Sequence, residues 1–231
     1  MLMDDFDTPA HTESTSTQPL DALPDLVTAW GRGWARSRGV PRLVSVPGGF
    51  RADVGLPGHR VRYVLHTWDG ALLAAYGRRI AAPGTWIKIS GRSADLRGAL
   101  PPRWTLADTG HLMSTPFTAG AADVQAPYAM RVTTAGDVVV ATVVDGAGDT
   151  AASGRLARAG EFGIIDRVET APPHQRRGLG TAVMRALSDH AARNGMSTGL
   201  LVATDDGRRL YSSLGWSVRS EIAAAYVDEP G

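Results

Sequence analysis

The sequence predicts an α/β fold with a mixed sheet, in which parallel and antiparallel strands pack against helices. Segments with alternating apolar residues, such as Arg60–Trp68, are typical of strands. Leu20–Arg38 and Gly180–Asn194 instead carry apolar residues at three- and four-residue spacing, which is typical of amphipathic helices. Hydrophobic residues make up 43% of the 231 residues, enough for a sizeable core in one large domain or two small ones.

The first half of the chain is predicted to be an α+β module spanning residues 20–115. It follows a polar segment, residues 1–19, whose Thr- and Ser-rich composition predicts a disordered leader. Its elements are a helix at 20–38, strands at 42–46 and 60–68, a helix at 71–81, a strand at 85–90, a helix at 93–100 and a strand at 104–114. The aperiodic, Pro-containing segment 115–127 predicts the end of this module.

Residues 128–231 are predicted to form a second unit. It opens with strands at 128–134, 137–145, 151–158 and 162–170, followed by a helix at 180–194, a strand at 197–203, a helix at 205–214 and a strand at 216–227. Asn194-Gly195 is a typical stop for the longer helix.

The composition excludes several classes of function. The chain has no cysteine, which excludes disulfides, thiolate metal sites and cysteine nucleophiles. Its 24 basic and 23 acidic residues give no electrostatic reason to expect nucleic-acid or membrane partners. Without a signal-peptide pattern or an apolar segment of about 18 residues, we expect a cytoplasmic protein. The six histidines lack metal-binding spacing, so no metal site is expected.

The basic residues are biased towards arginine, and Lys88 is the only lysine. A GC-rich bacterial genome explains this bias without a functional cause.

One segment carries a ligand-binding pattern. Residues 175–182, with the sequence QRRGLGTA, lie between a predicted strand and a predicted helix. Gly178 and Gly180 let the backbone turn tightly and approach a ligand closely, and the following helix supplies unpaired amides and the positive end of its dipole. Arg176 and Arg177 add positive charge. These residues alone leave two interpretations open, an anion site or an ordinary glycine turn before a helix.

Two familiar phosphate-binding motifs do not fit this segment. A P-loop requires a Gly-Lys pair, whereas Lys88 is the only lysine. A dinucleotide fingerprint requires a third small residue where Val183 stands, and an acidic residue near the end of the next strand, where the sequence is TGLLVA.

Two motifs in order resemble those of the GNAT (GCN5-related N-acetyltransferase) superfamily. The loop QRRGLG matches the Q/R-x-x-G-x-G/A signature, and RLYSSLGW near the C-terminus matches L-Y-x-x-L-G-F with Trp216 in place of Phe. The resemblance covers residues 128–231 and implies a GNAT acyl-CoA N-acyltransferase fold there. The first half then covers the acceptor site, either as a degenerate GNAT-like half or as a separate α+β module, and its tryptophans Trp68, Trp86 and Trp104 are candidates to shape that site.

The resemblance implies acetyl-CoA as co-substrate and assigns its contacts. Loop amides hold the pyrophosphate, the end of the preceding strand pairs with the pantetheine arm, and Thr204 stands where relatives often carry a pantetheine-binding Asn. The implied co-substrate-binding residues are Val168, Glu169, Thr170, Gln175, Arg176, Arg177, Gly178, Leu179, Gly180, Thr181 and Thr204.

Two residues are candidates for catalysis. The resemblance implies that Tyr211 protonates the departing thiolate, and the alternative is an aromatic that packs beside Leu214. Asp166 is the candidate base or amine-orienting carboxylate, and the alternative is a carboxylate paired with an arginine. Strand alternation predicts that Ile164, Asp166, Val168 and Thr170 share one face and that Arg167 and Glu169 share the other, with Glu169 and His174 as reserve bases.

The function implied is an N-acetyltransferase that acts on a primary amine of a small molecule or a protein. A catalytically weak acyl-CoA sensor, or a module that binds a partner, is the alternative from a different class, and O-acyl transfer and a homodimer remain open. The Trp30/Trp34 pair and the arginines Arg32, Arg36 and Arg38 are interpreted as core and as a solvated helix face.

Overall fold

An eleven-stranded sheet organises residues 23–230, the part of the chain that the computed structural model describes. The helices are α1 Leu23–Arg38, α2 Gly70–Arg79, α3 Ser93–Ala99, α4 Leu179–Arg193 and α5 Asp205–Ser213. The strands are β1 Val44–Val46, β2 Gly49–Leu56, β3 His59–Leu65, β4 Thr85–Ser90, β5 Trp104–Pro116, β6 Ala129–Ala135, β7 Val138–Val144, β8 Thr150–Ala159, β9 Phe162–Thr170, β10 Thr198–Ala203 and β11 Ser217–Val227. The mixed α/β fold is therefore confirmed, whereas the expected leader lies outside the described residues.

The strand order is β1-β2-β3-β4-β11-β5-β10-β9-β8-β7-β6. Among the strands of the described residues, β3/β4 and β9/β10 are the parallel pairs, and in each case a helix, α2 or α4, provides the crossover that parallel strands need. Strand β5 comes from the first half of the chain but lies between β10 and β11 of the second. The two halves thus share one sheet, and each contains a strand, helix, parallel strand, helix and strand in that order.

Helix α1 occupies one face of the sheet, and the other four helices cover the opposite face. Two glycines allow α1 to approach strands that are far apart in the order, because a Cβ at Gly31 would overlap Phe50 on β2 and one at Gly33 would overlap Ile164 on β9. The sheet therefore curls around α1. Trp30 and Trp34 are buried in this interface, as core residues.

One strand was missed by the sequence interpretation. Strand β2 pairs antiparallel with β3, and its first residue, Gly49, lies so close to Val64 that a Cβ would meet the Val64 carbonyl oxygen at 1.9 Å. Three glycines and an arginine–aspartate pair interrupt the apolar pattern of the segment from 48 to 55, so the sequence does not indicate a strand there. The strand is instead stabilised by its pairing with β3. Within the described residues, no helix is long and apolar enough to cross a membrane.

Candidate functional site

The parallel strands β9 and β10 separate halfway along their length. They pair at Phe162/Thr198, Gly163/Gly199 and Ile164/Leu200, after which β9 continues to Thr170 without β10 beside it. A cleft of about 870 Å³ opens in this gap. The unpaired strand edge leaves backbone donors and acceptors that an extended ligand can bind.

A bulge in β9 redirects the side chains that line the cleft. Arg167 has φ 52°, and the pairing with β8 shifts register next to it. Asp166, before the bulge, faces α1 as Ile164 does, whereas Val168, after it, packs into the core under α4 on the opposite side of the sheet. The strict alternation predicted from the sequence is wrong at this point because a bulge inserts one extra residue.

The cleft ends at the N-terminus of α4, where the glycine-rich loop turns. Gly178 is the N-cap in a left-handed conformation, with φ 76° and ψ 3°, and a Cβ there would have no heavy atom within 4 Å. Ala182 donates the first helical hydrogen bond, to the Gly178 carbonyl, so the amides of residues 179–181 have no partner within the helix. The Gln175 side chain donates to the Thr170 carbonyl at 3.3 Å and ties the loop to the end of β9.

The structure brings most of the sequence-predicted binding residues into this one cleft. Those that line it are Val168, Glu169, Thr170, Gln175, Arg176, Gly178, Leu179, Gly180, Thr181 and Thr204, together with both catalytic candidates, Asp166 and Tyr211. The exception is Arg177, which donates to the Tyr128 hydroxyl at 3.0 Å and lines a neighbouring groove of about 470 Å³.

A small polar network supports the loop from behind. The His174 Nδ1 atom lies 3.0 Å from the Tyr128 hydroxyl, and its Nε2 atom lies 3.6 Å from a carboxylate oxygen of Asp145. His174 is absent from the residues that line the cleft, so its contacts favour a structural role over that of a reserve base.

Thr204, at the start of α5, caps that helix and lines the cleft on the side opposite β9. Its hydroxyl oxygen is the N-cap of α5 and accepts from the Gly207 amide at 3.2 Å. Because the oxygen acts as acceptor, the hydroxyl hydrogen remains available for donation into the cleft. A threonine can therefore retain one of the hydrogen bonds that an asparagine would offer there.

Tyr211, on α5, presents a free hydroxyl to the cleft. Burial, together with the negative charge of Asp166, raises its pKa to about 12. The hydroxyl forms no hydrogen bond with any residue in the described range, although the ring packs near Trp216. The phenol is therefore protonated throughout the neutral range and is available as a donor.

Asp166 is held by the C-terminal end of α1. Arg38 donates to both carboxylate oxygens, at 2.7 and 2.8 Å, and the Ser37 hydroxyl donates at 3.2 Å. Burial alone would raise the pKa of Asp166, but these hydrogen bonds and the charge of Arg38 outweigh burial and leave the pKa below its usual range. So weak a base is poorly suited to deprotonate an ammonium group, and the pairing favours an orienting role.

Replacing Asp166 by Asn distinguishes these two roles. If Asp166 positions Arg38, Asp166→Asn should lower kcat/KM only about tenfold and leave the shape of the pH profile unchanged. The reason is that a carboxylate that stays ionised throughout the assay range causes no rise or fall of kcat/KM with pH. The measurement is kcat/KM between about pH 6 and 9, with Arg38→Gln assayed in parallel. A loss of more than about 100-fold together with a changed acidic limb would instead identify Asp166 as the base.

Sequence reasoning missed Arg38, which it assigned to a solvated helix face. Arg38 follows Trp34 by four residues and therefore lies on the side of α1 that faces the sheet, with its side chain 35% exposed and its guanidinium 5.8 Å from the centre of the Trp34 ring. A cation at helical spacing from a buried tryptophan was the available signal.

The fold of this chain is shared with solved structures of GCN5-related N-acetyltransferases. Among solved structures, the chain is similar to a GCN5-related N-acetyltransferase from Kribbella flavida, with TM-score 0.66 and 16% identity over 92% of this chain and 98% of that one. It is also similar to a GNAT-family protein from Novosphingobium aromaticivorans, with TM-score 0.57 and 15% identity over 93% of this chain and 100% of that one.

Residues 139–224 match the family model for FR47-like proteins, and this range contains every residue that lines the cleft except Arg38. No curated protein matches the sequence significantly. The resemblance to the GNAT superfamily that the two motifs predict is confirmed by the family match and the shared fold.

Proposed function

We propose that the protein is an N-acetyltransferase that moves the acetyl group of acetyl-CoA to a primary amine by direct attack. The observation that carries this proposal is the cleft itself, which joins an unpaired strand edge, a helix N-terminus with free amides and a free tyrosine hydroxyl. Few other ligands combine a pyrophosphate, an amide-bearing arm and a reactive thioester.

The residues of the cleft fit the chemistry of acetyl-CoA. The free amides at the start of α4 and the cationic side chain of Arg176 suit the pyrophosphate. The open edge of β9 suits the amides of the pantetheine arm, which would pair with it as another strand does. Thr204 and Gln175 add polar contacts on the two sides.

The reaction forms a C–N bond and breaks the C–S bond of the thioester, and one proton passes from the amine to the sulfur. The thioester supplies an activated acetyl group. Tyr211 donates its hydrogen bond, or its proton, to the sulfur as negative charge develops there, and Asp166 with Arg38 orients the polar groups on the α1 side. Both oxygens of Asp166 are occupied by Arg38, so the amine releases its proton to bulk solvent, and solvent returns a proton to Tyr211 when the phenol has given up its own.

The first half of the chain supports the site and does not repeat it. Its own parallel strands, β3 and β4, stay paired at five positions up to Leu65/Ile89, so they leave no gap. The N-terminus of α2 is capped by the carboxylate of Asp69, which would repel a phosphate. We therefore assign one acetyl-CoA site per chain, with α1 as its cover on the acceptor side.

The test is acetyl-CoA binding followed by thiol release. We expect acetyl-CoA to raise the melting temperature by several degrees and free CoA to appear when a suitable primary amine is added. No thermal shift would contradict the proposal. A shift without thiol release on primary amines would support the acyl-CoA sensor, and release with alcohols alone would support O-acyl transfer.

A further inference from the structure

A group of cations lies on the same face of the sheet as α1, beyond Arg38. Arg62 is on β3 and Lys88 is on β4, and both side chains project towards α1 because their neighbours Tyr63 and Ile87 face the opposite core. The guanidinium of Arg62 lies 4.1 Å from the centre of the Trp34 ring, which Arg38 also approaches. We call Arg38, Arg62 and Lys88 the cation cluster.

Negative charge in this region does not balance the cluster. Asp166 is the one carboxylate that forms an ion pair with it within residues 23–230, and both of its oxygens are taken by Arg38. Arg62 is only 7% exposed, yet its side-chain hydrogen bond goes to the neutral His59 ring at 3.0 Å. Lys88 forms no hydrogen bond or ion pair with any described residue.

A buried Arg62 and a half-buried Lys88 without acidic partners are unfavourable, because a cation withdrawn from water needs a counter-charge to offset its lost hydration. This lack of counter-charge shifts the pKa values of Lys88, Arg62 and the adjacent His59. Burial and the charges of Arg62 and Arg38 lower the pKa of Lys88 to about 7, and burial lowers the pKa of Arg62. Burial, with the charges of Arg62 and Lys88, lowers the pKa of His59 to about 3, so His59 stays neutral and accepts from Arg62.

An unbalanced cluster of this kind is suited to an anionic ligand. Arg38 belongs both to the cluster and to the wall of the cleft beside Asp166, whereas Arg62 and Lys88 do not line the cleft. Arg38 is therefore the residue that connects the cluster to the proposed acetyl-CoA site. Arg62 and Lys88 can each donate to an oxyanion, Arg62 through the donors that His59 leaves free. Trp86, stacked between His59 and Tyr226, lies alongside, with the Lys88 Nζ atom 5.8 Å from the centre of its ring.

We propose that Arg62 and Lys88 bind an oxyanion and that the acceptor amine is one that carries such a group, a carboxylate or a phosphate. This inference rests on the proposed function for the transfer step, although the anion site itself does not. Arg62 and Lys88 then determine acceptor specificity, while the acetyl-CoA half of the cleft is independent of them.

The experiment compares the full-length chain with Lys88→Met and with Arg79→Met, a control that removes an exposed cation from α2 on the opposite face. Inorganic phosphate and acetate are titrated at constant ionic strength, with and without saturating CoA. We expect Lys88→Met to weaken anion binding in the presence of CoA at least tenfold and Arg79→Met to leave it unchanged. Lys88 has no hydrogen-bond or ion-pair partner among the described residues, and its ammonium lies 5.8 Å from the centre of the Trp86 ring, a distance at which a cation–π contact is weak. Its replacement should therefore leave the melting temperature nearly unchanged, so that unfolding does not explain the loss.

The second measurement assays matched primary amines that bear a carboxylate, a phosphate or a neutral hydroxyl. We expect kcat/KM to be at least tenfold higher for one anionic class, and this advantage to disappear in Lys88→Met while the KM for acetyl-CoA stays constant. Equal anion binding by the wild type and Lys88→Met, or a preference for neutral amines, would overturn the inference. If anions bind through Lys88 but no amine is acetylated, the proposed function fails and the anion site stands.

Discussion

A Gly178→Val variant is expected to lose acetyl-CoA binding by at least about 100-fold, because one or two hydrogen bonds from loop amides to a charged pyrophosphate contribute about 3 kcal/mol. Gly178 has φ 76°, a conformation that β-branched residues avoid, so valine would pull the loop out of its present turn. The space around a Cβ at this position is empty, so the damage comes from the backbone and from the blocked approach of the ligand. Isothermal titration with CoA measures the loss.

The chain offers a matched control for the strain that valine introduces. Gly136, in the turn between β6 and β7, has φ 60° and equally open surroundings, and it does not line the cleft. Gly136→Val should therefore cost a similar amount of stability, about 1 kcal/mol or somewhat more, and leave CoA affinity unchanged. Equal affinity of the Gly178 and Gly136 variants for CoA would place the ligand elsewhere.

The second half of the fold could be predicted from the sequence because its signals are local. Gly178 and Gly180 indicate a tight turn before a helix. Val183, Leu187 and Ala191 recur at helical spacing and lie on the buried face of α4. Local signals of this kind place the loop and the strand before it at one end of the same cleft.

What could not be predicted depends on contacts between residues far apart in the chain. The partner of Asp166 is Arg38, more than 120 residues away, and no periodicity within β9 or α1 indicates that they meet. The bulge at Arg167 likewise arises from the register with β8, and it reverses the face of Val168. Strand β5 pairs with two strands of the second half, β10 and β11. The sequence of either half alone does not indicate this pairing.

A Tyr211→Phe variant is expected to lower kcat about 100-fold while the Kd for CoA stays constant, because the hydroxyl acts on the sulfur only as charge develops in the transition state. The ring and its packing near Trp216 are retained in phenylalanine, so the variant should fold normally. Tyr63→Phe is the matched control, since the Tyr63 hydroxyl also lacks a hydrogen bond within the described residues but lies away from the cleft, beside Tyr76 in the core under α2.

The dependence of this effect on the leaving group separates donation from packing. Burial raises the pKa of Tyr211 to about 12, so the phenol remains protonated and contributes no limb to the pH profile below about pH 11. A coenzyme analogue with a more acidic thiol needs less help to depart, and the deficit of Tyr211→Phe should shrink with it. A deficit that is the same for both thiols, or an unchanged kcat, would show that Tyr211 acts only by packing.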